Sequence, residues 1–178
     1  MGISYQLNEL DEIVCVSQGW TRFALANDAP DLVPERVLNR PLWDFITDLT
    51  TEQLYRQILE RVRSGQAARF SFRCDASDRQ RFMEMSVTAL EHRGVRFETR
   101  TLRSVNRPAQ SLLDRYAPKA DDLLRICGWC KSVEVGGGWK EVAEAVELLR
   151  LFERVRLPQL THGICSGCYA RLSATRTN

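Results

Sequence analysis

The sequence predicts an α+β protein: an antiparallel sheet with helices on one face, followed by a small cysteine-bearing module. Three observations carry this. An amphipathic helix ends at Ser64-Gly65. Three runs of alternating apolar residues follow it, joined by short polar turns. Two Cys-x-x-Cys pairs, Cys127/Cys130 and Cys165/Cys168, then stand 34 residues apart (131–164) near the end of the 178-residue chain.

The bulk numbers are those of a folded globular chain, 44% hydrophobic and 27% charged. No stretch approaches the roughly 20 apolar residues of a membrane helix. Met1 to Tyr5 lacks a basic region followed by an apolar run, which predicts no secretory signal and a cytoplasmic location. The net charge of +2, from 25 basic and 23 acidic residues, is too balanced to argue for nucleic acid by itself.

The elements follow in order. Asp11 to Val16 reads as a short first strand. Trp20 to Asn27 has helical spacing, with Trp20, Phe23, Ala24 and Asn27 on one face. Asp28 to Pro34 carries two prolines and is a loop; Leu42 to Ile46 is one or two helical turns. Thr50 or Thr51 caps the long helix, whose stripe is Leu54, Ile58, Leu59 and Val62. The strands are Arg69–Cys74, Phe82–Ala89 and Val95–Thr101, an antiparallel meander with a charged outer face. Residues 1–105 make one domain, 106–122 a linker and 123–178 the cysteine module. Within the module, Lys140 to Arg154 reads as an amphipathic helix with Val142, Val146, Leu149 and Phe152 inward.

Cys127, Cys130, Cys165 and Cys168 form a four-thiolate set. Thiolates are soft, and such a set favours zinc, with iron the alternative that spacing does not separate from it. A module of about 50 residues needs that ion to hold its fold. Gly128 eases the tight turn of the first pair. His162 is a histidine hydrogen-bonded beside a thiolate, and the replacement ligand if Cys165 does not bind. Cys15 and Cys74 read as small buried hydrophobes. A thioredoxin-type role for Cys127-Gly-Trp-Cys130 is set aside on three grounds: only 48 residues follow, no buried strand precedes, and a second pair is present.

Trp20-x-x-Phe23-Ala24-x-x-Asn27, Val37 to Ile46, Phe72-Arg73-Cys74-Asp75 and Met83-Glu84-Met85 resemble a bacterial PAS subfamily over roughly residues 5–105. Asn39 stands where that subfamily often has glycine, and asparagine also tolerates a left-handed backbone. Ile126 to Lys131, Trp139 and His162-Gly-Ile-Cys-Ser-Gly-Cys168 resemble a zinc module found at the ends of bacterial PAS and receiver proteins. A ligand pair on a knuckle and another at a helix start resembles a treble clef. PAS domains hold haem, flavin or small ligands, and many dimerise through the outer sheet face. Here Trp43 to Arg63 offers neither a histidine for haem nor a cysteine for a flavin photo-adduct, and the PAS ligand is unknown. His92 reads as a solvent-exposed turn residue. Trp20, Phe23, Trp43, Tyr55, Met83, Met85 and Phe97 read as a filled core rather than a pocket wall.

The resemblance implies a bacterial signalling protein: a sensor or dimerisation domain coupled to a structural zinc module that binds a protein partner. Arg69, Arg73, Arg96 and Arg100 would lie on the dimerising face. Two alternatives stand beside it. One is a nucleic-acid-binding regulator using Lys131, Lys140, Arg150, Arg154, Arg156, Arg171 and Arg176, although glutamates interrupt that series. The other is a redox- or zinc-responsive thiol switch. No acid–base–nucleophile set is evident, so no enzymatic activity is expected.

Overall fold

The computed structural model describes residues 2–26 and 29–174. Asn27, Asp28 and Arg176, read above as part of a helix face, a loop and a cationic series, lie outside that range. Among the described residues, no helix is long and apolar enough to cross a membrane. The chain forms two compact units, Met1–Ser71 with Met83–Leu102, and Phe72–Phe82 with Arg103–Asn178. Where the sequence suggested cuts at 105 and 123, the hairpin of residues 72–82 groups with the C-terminal unit.

The first unit opens with strands β1 (Ile3–Leu7) and β2 (Ile13–Val16), then helices α1 (Gln18–Ala26), α2 (Pro34–Val37) and α3 (Leu49–Arg63). Strands β3 (Ala68–Arg73), β4 (Arg79–Ala89) and β5 (Val95–Asn106) follow, and the sheet order is β2-β1-β5-β4-β3. The first strand predicted at Asp11 is therefore the second. Asp11 itself lies at φ 64° in a turn where Asn8 Oδ1 accepts from the Leu10 and Glu12 amides, both at 2.9 Å. β1 pairs antiparallel with both β2 and β5, placing Tyr5 opposite Phe97.

One sheet face is apolar. Phe70, Met83, Met85, Val87, Val95 and Phe97 are all buried, and Leu54, Leu59 and Val62 of α3 are buried with them. Tyr5 stacks on Phe97 at 4.6 Å, and Tyr55 of α3 lies 6.1 Å from the same ring. Burial pushes the Tyr55 hydroxyl up to about 12, and burial, then the nearby Tyr55, raises Tyr5. Both phenols are therefore neutral near pH 7. Trp43 is half-buried beneath the Arg56 guanidinium at 4.0 Å.

Asp48, not Thr50 or Thr51, caps α3. Its carboxylate accepts from the Thr51 amide and from the Thr51 hydroxyl, each at 2.7 Å. An acceptor three residues before a free helical N–H is the geometry a cap needs, which moves the helix start back to Leu49. Asn39 adopts φ 61°, the left-handed turn its side chain was expected to tolerate.

In the second unit, strand β6 (Lys119–Cys127) is flanked by β7 (Val133–Val135) and by β9 (Leu157–Gly163). β7 runs antiparallel to β6 and continues as a hairpin into β8 (Gly138–Lys140); β9 runs parallel to β6. Gly136 and Gly137, at φ 59° and 80°, form the two-residue hairpin turn, which needs two positive φ angles in succession. Helix α4 (Val142–Leu148) and helix α5 (Ser166–Ala174) complete the unit.

Two expectations change here. Residues 106–122 are not a bare linker: Leu112 is 1% exposed in a core with Ile126, Val133, Val142, Ala145, Leu151 and Leu157. The helix predicted over 140–154 spans only 142–148. Lys140 is in β8, and Arg150, at φ 50°, turns the chain so that Leu151 packs inward. Val142 is buried as expected, but Leu149 and Phe152 are 36% and 68% exposed.

Candidate metal centre

β6 delivers Cys127 to its end, and the chain turns at once through Gly128, Trp129 and Cys130. Cross-bonds hold this knuckle. Cys127 N–H donates to Ser132 O at 2.7 Å, Gly128 N–H to Gly163 O at 2.8 Å, and Lys131 N–H to Cys127 O at 3.0 Å. The left-handed residue is Lys131, at φ 63°, rather than Gly128. The second pair arrives from β9. At Gly163 a Cβ would stand 2.5 Å from Nε of the flexible Arg125 side chain. Cys165 then precedes α5 and Cys168 lies in its first turn.

All four Sγ atoms lie within 4.8 Å of one another. Cys127, Cys165 and Cys168 are buried and Cys130 is partly exposed. A zinc–sulfur bond of about 2.3 Å in a tetrahedron separates ligand sulfurs by about 3.8 Å. Cys130 and Cys165 are 3.7 Å apart. The donor set is closed, sulfur-only and of the right size for a soft dication, so the residues fit such an ion.

The surroundings suit negative sulfur. The Cys165 amide donates to Cys127 Sγ at 3.4 Å and the Cys168 amide to Cys165 Sγ at 3.3 Å. Ser132 Oγ lies 3.2 Å from Cys130 Sγ, and Arg171 Nη2 donates to Cys168 Sγ at 3.0 Å. Arg171 was first read as a surface cation. Its position three residues after Cys168 on a helix is the signal that places it over that sulfur.

Without an ion these thiols do not ionise together. Sharing its proton with Cys130, and then burial, holds the Cys127 thiol well above its ordinary value. The same hydrogen bond holds Cys130 down to about 4, while burial pushes Cys168 up to about 11. Raised thiols keep their protons at neutral pH, so an incoming cation must displace at least those of Cys127 and Cys168. Apparent affinity therefore rises with pH and falls on acidification, by about 100-fold per pH unit for two protons. Competition with a chromophoric chelator between pH 6 and pH 8 measures this slope; a flat profile would contradict it.

The remaining candidates fall outside the group. His162 is exposed on β9 opposite Ile126. Cys165 is within the group and His162 is not. Cys15 is exposed on β2, not buried: the pairing with β1 shifts register between Ile13 and Cys15, so the two do not share a face as unbroken alternation would require. Cys74 is half-buried, with Arg81 Nη1 4.0 Å from its sulfur. β6 precedes the first pair, but of its residues before Cys127 only Ile126 is buried, so that ground against a thioredoxin-type site stands beside the second pair converging on the same point. His92 is exposed in its turn.

No family model matches the chain, and no curated protein matches it. Among solved structures, a domain of HTR-like protein from Haloarcula marismortui ATCC 43049 is similar at 15% identity with a TM-score of 0.37. The match covers 57% of this chain and 98% of that one. A likeness at that level supports neither a particular fold nor a role.

Proposed function

We propose that this is a bacterial cytoplasmic regulatory protein in which a PAS-type sensor or dimerisation domain is coupled to a structural zinc module that docks a protein partner. The convergence of four cysteine sulfurs within 4.8 Å carries the reading. Zinc is preferred to iron because a closed thiolate set with a mainly structural setting needs no redox change.

Exposed apolar surface on the second unit supports reading it as an interaction module. Phe152 and Val155 are 68% and 88% exposed. Phe152 also lines a cavity of about 350 Å³ with Leu112, Val146, Leu151 and Leu157, a size suited to an inserted side chain. The nucleic-acid alternative is less well supported, because four of its seven cations are engaged. Lys140 meets Glu144 at 2.7 Å, Arg150 meets Glu153 at 2.5 Å, Arg154 meets Asp122 at 2.8 Å, and Arg171 meets Cys168. The thiol-switch alternative has one favourable observation, the partial exposure of Cys130.

For the dimer, Arg69 and Arg100 lie 3.9 and 2.8 Å from Glu84, leaving a mixed-charge outer face. Arg73, first placed on that face, is only 11% exposed in its side chain and is engaged by Asp75 and Glu141.

The test is a quantitative binding comparison. Metal-loaded protein is expected to bind a partner isolated from the source cell, and Cys127→Ser/Cys130→Ser protein to lose that binding. Equal binding by both would contradict the docking role, and a salt-dependent DNA shift without a protein partner would favour the nucleic-acid reading.

A further inference from the structure

We propose that the hairpin of residues 72–82 and the cysteine knuckle are one thermodynamic unit, with Arg73, Asp75, Arg107 and Glu141 acting as positioning residues for the metal centre. This rests on the metal-binding reading above.

The link to the knuckle is a main-chain bond. The Arg73 amide donates to the carbonyl of Trp129, between the two knuckle cysteines, at 2.6 Å. The Arg73 side chain holds that amide in place. It donates from Nη1 to Glu141 Oε2 at 2.6 Å, from Nη2 to Glu141 Oε1 at 3.0 Å, and from Nε to Asp75 Oδ1 at 3.2 Å. Arg107 closes the other side. Its Nη1 lies 3.2 Å from Asp75 Oδ2, its Nη2 donates to Ala76 O at 2.9 Å, and its Nε donates to Ser77 O at 3.2 Å. Gln80 reaches Glu141 Oε1 at 3.3 Å.

Burial makes this more than a surface pair. The Asp75, Arg107 and Arg73 side chains are 1%, 10% and 11% exposed, and Glu141 is 42% exposed. Two arginines and two carboxylates balance in charge, and exposed ion pairs of the usual kind contribute little by comparison. Glu141 directly follows β8 in the sheet that carries Cys127, so the clasp grips that sheet as well as the knuckle. β3 and β4, which the hairpin joins, continue into the first unit.

Coupling of this kind is reciprocal. If the metal orders the hairpin by some factor, breaking the clasp must weaken metal binding by the same factor, in a range of about 5- to 150-fold. Glu141→Gln removes the carboxylate charge at the most exposed member and spares the thiolates. The expected result is an about tenfold weaker metal affinity by chelator competition, with the absorption spectrum of the cobalt-substituted site unchanged in shape. In the wild-type protein, hydrogen exchange at the Arg73 and Cys74 amides should slow on metal loading by a similar factor. Metal-replete protein whose Arg73 amide exchanges equally with and without the ion would overturn the coupling while leaving the metal centre intact, as would unchanged affinity in Glu141→Gln. Protein that binds no stoichiometric metal would overturn both. The wild-type exchange measurement stands even if the variant fails to fold.

Discussion

Replacing Cys165 with serine is expected to abolish stoichiometric metal binding and to unfold the second unit. Cys165 is 8% exposed, its sulfur lies 3.7 Å from that of Cys130, and its amide donates to Cys127 Sγ. It therefore joins the two pairs through the main chain and would join them again through a bound ion. Structural zinc sites of this type contribute about 10–16 kcal/mol of apparent binding free energy, as much as the whole stability of an ordinary small domain. The core around Ile126, Val133 and Leu151 is one small cluster and does not replace a contribution of that size. Amide spectra should lose dispersion for residues 103–174 and retain it for residues 2–26. Retention of native dispersion in both regions would contradict the expectation.

The second large effect belongs to the first unit. Phe97→Ala should destabilise it by about 3–5 kcal/mol, the range for truncating a fully buried phenylalanine. Phe97 has no exposed surface and stacks on Tyr5 with an interplanar angle of 4°. The cavity would open between β1, which holds Tyr5, and β5, and the raised phenols of Tyr5 and Tyr55 line its edge. Water entering there would solvate two hydroxyls that are now shielded, so Tyr55 should titrate below its present value of about 12 in the variant. Urea unfolding followed by tryptophan fluorescence measures the first effect, and absorbance titration the second. A loss under about 1 kcal/mol would show that the aromatic stack is not the centre of this core.

Much of this architecture is legible in the sequence, for identifiable reasons. The meander strands are visible because Phe70, Met83, Met85, Val87, Val95 and Phe97 alternate with polar residues, and each is buried. The four-cysteine group is visible because two Cys-x-x-Cys pairs leave few alternatives once they meet. β1 carried the same period-two signal in Ile3, Tyr5 and Leu7, but it is short and lies at the chain start, where frayed ends are common. The strands of the second unit were harder. β7 and β8 have three residues each, and β6 begins with Lys119-Ala-Asp-Asp, whose exposed positions break the alternation.

Other features depend on distance rather than pattern. Asp48 as the cap follows from where α3 begins, and that was obscured by two threonines offering the same chemistry. The Arg73–Asp75–Arg107–Glu141 clasp joins residues up to 68 positions apart, and no local spacing announces it. The exposure of Cys15 shows the same limit: its strand was identified, but which face of it was buried depended on the register with β1.

Native mass spectrometry of the intact chain, before and after strong chelator, tests the whole account most directly. One dication per chain, with two protons fewer in the loaded mass to balance its charge, and loss of second-unit structure on chelation, is the expected result. A folded chain at its unmodified mass, unaltered by the chelator, would contradict it.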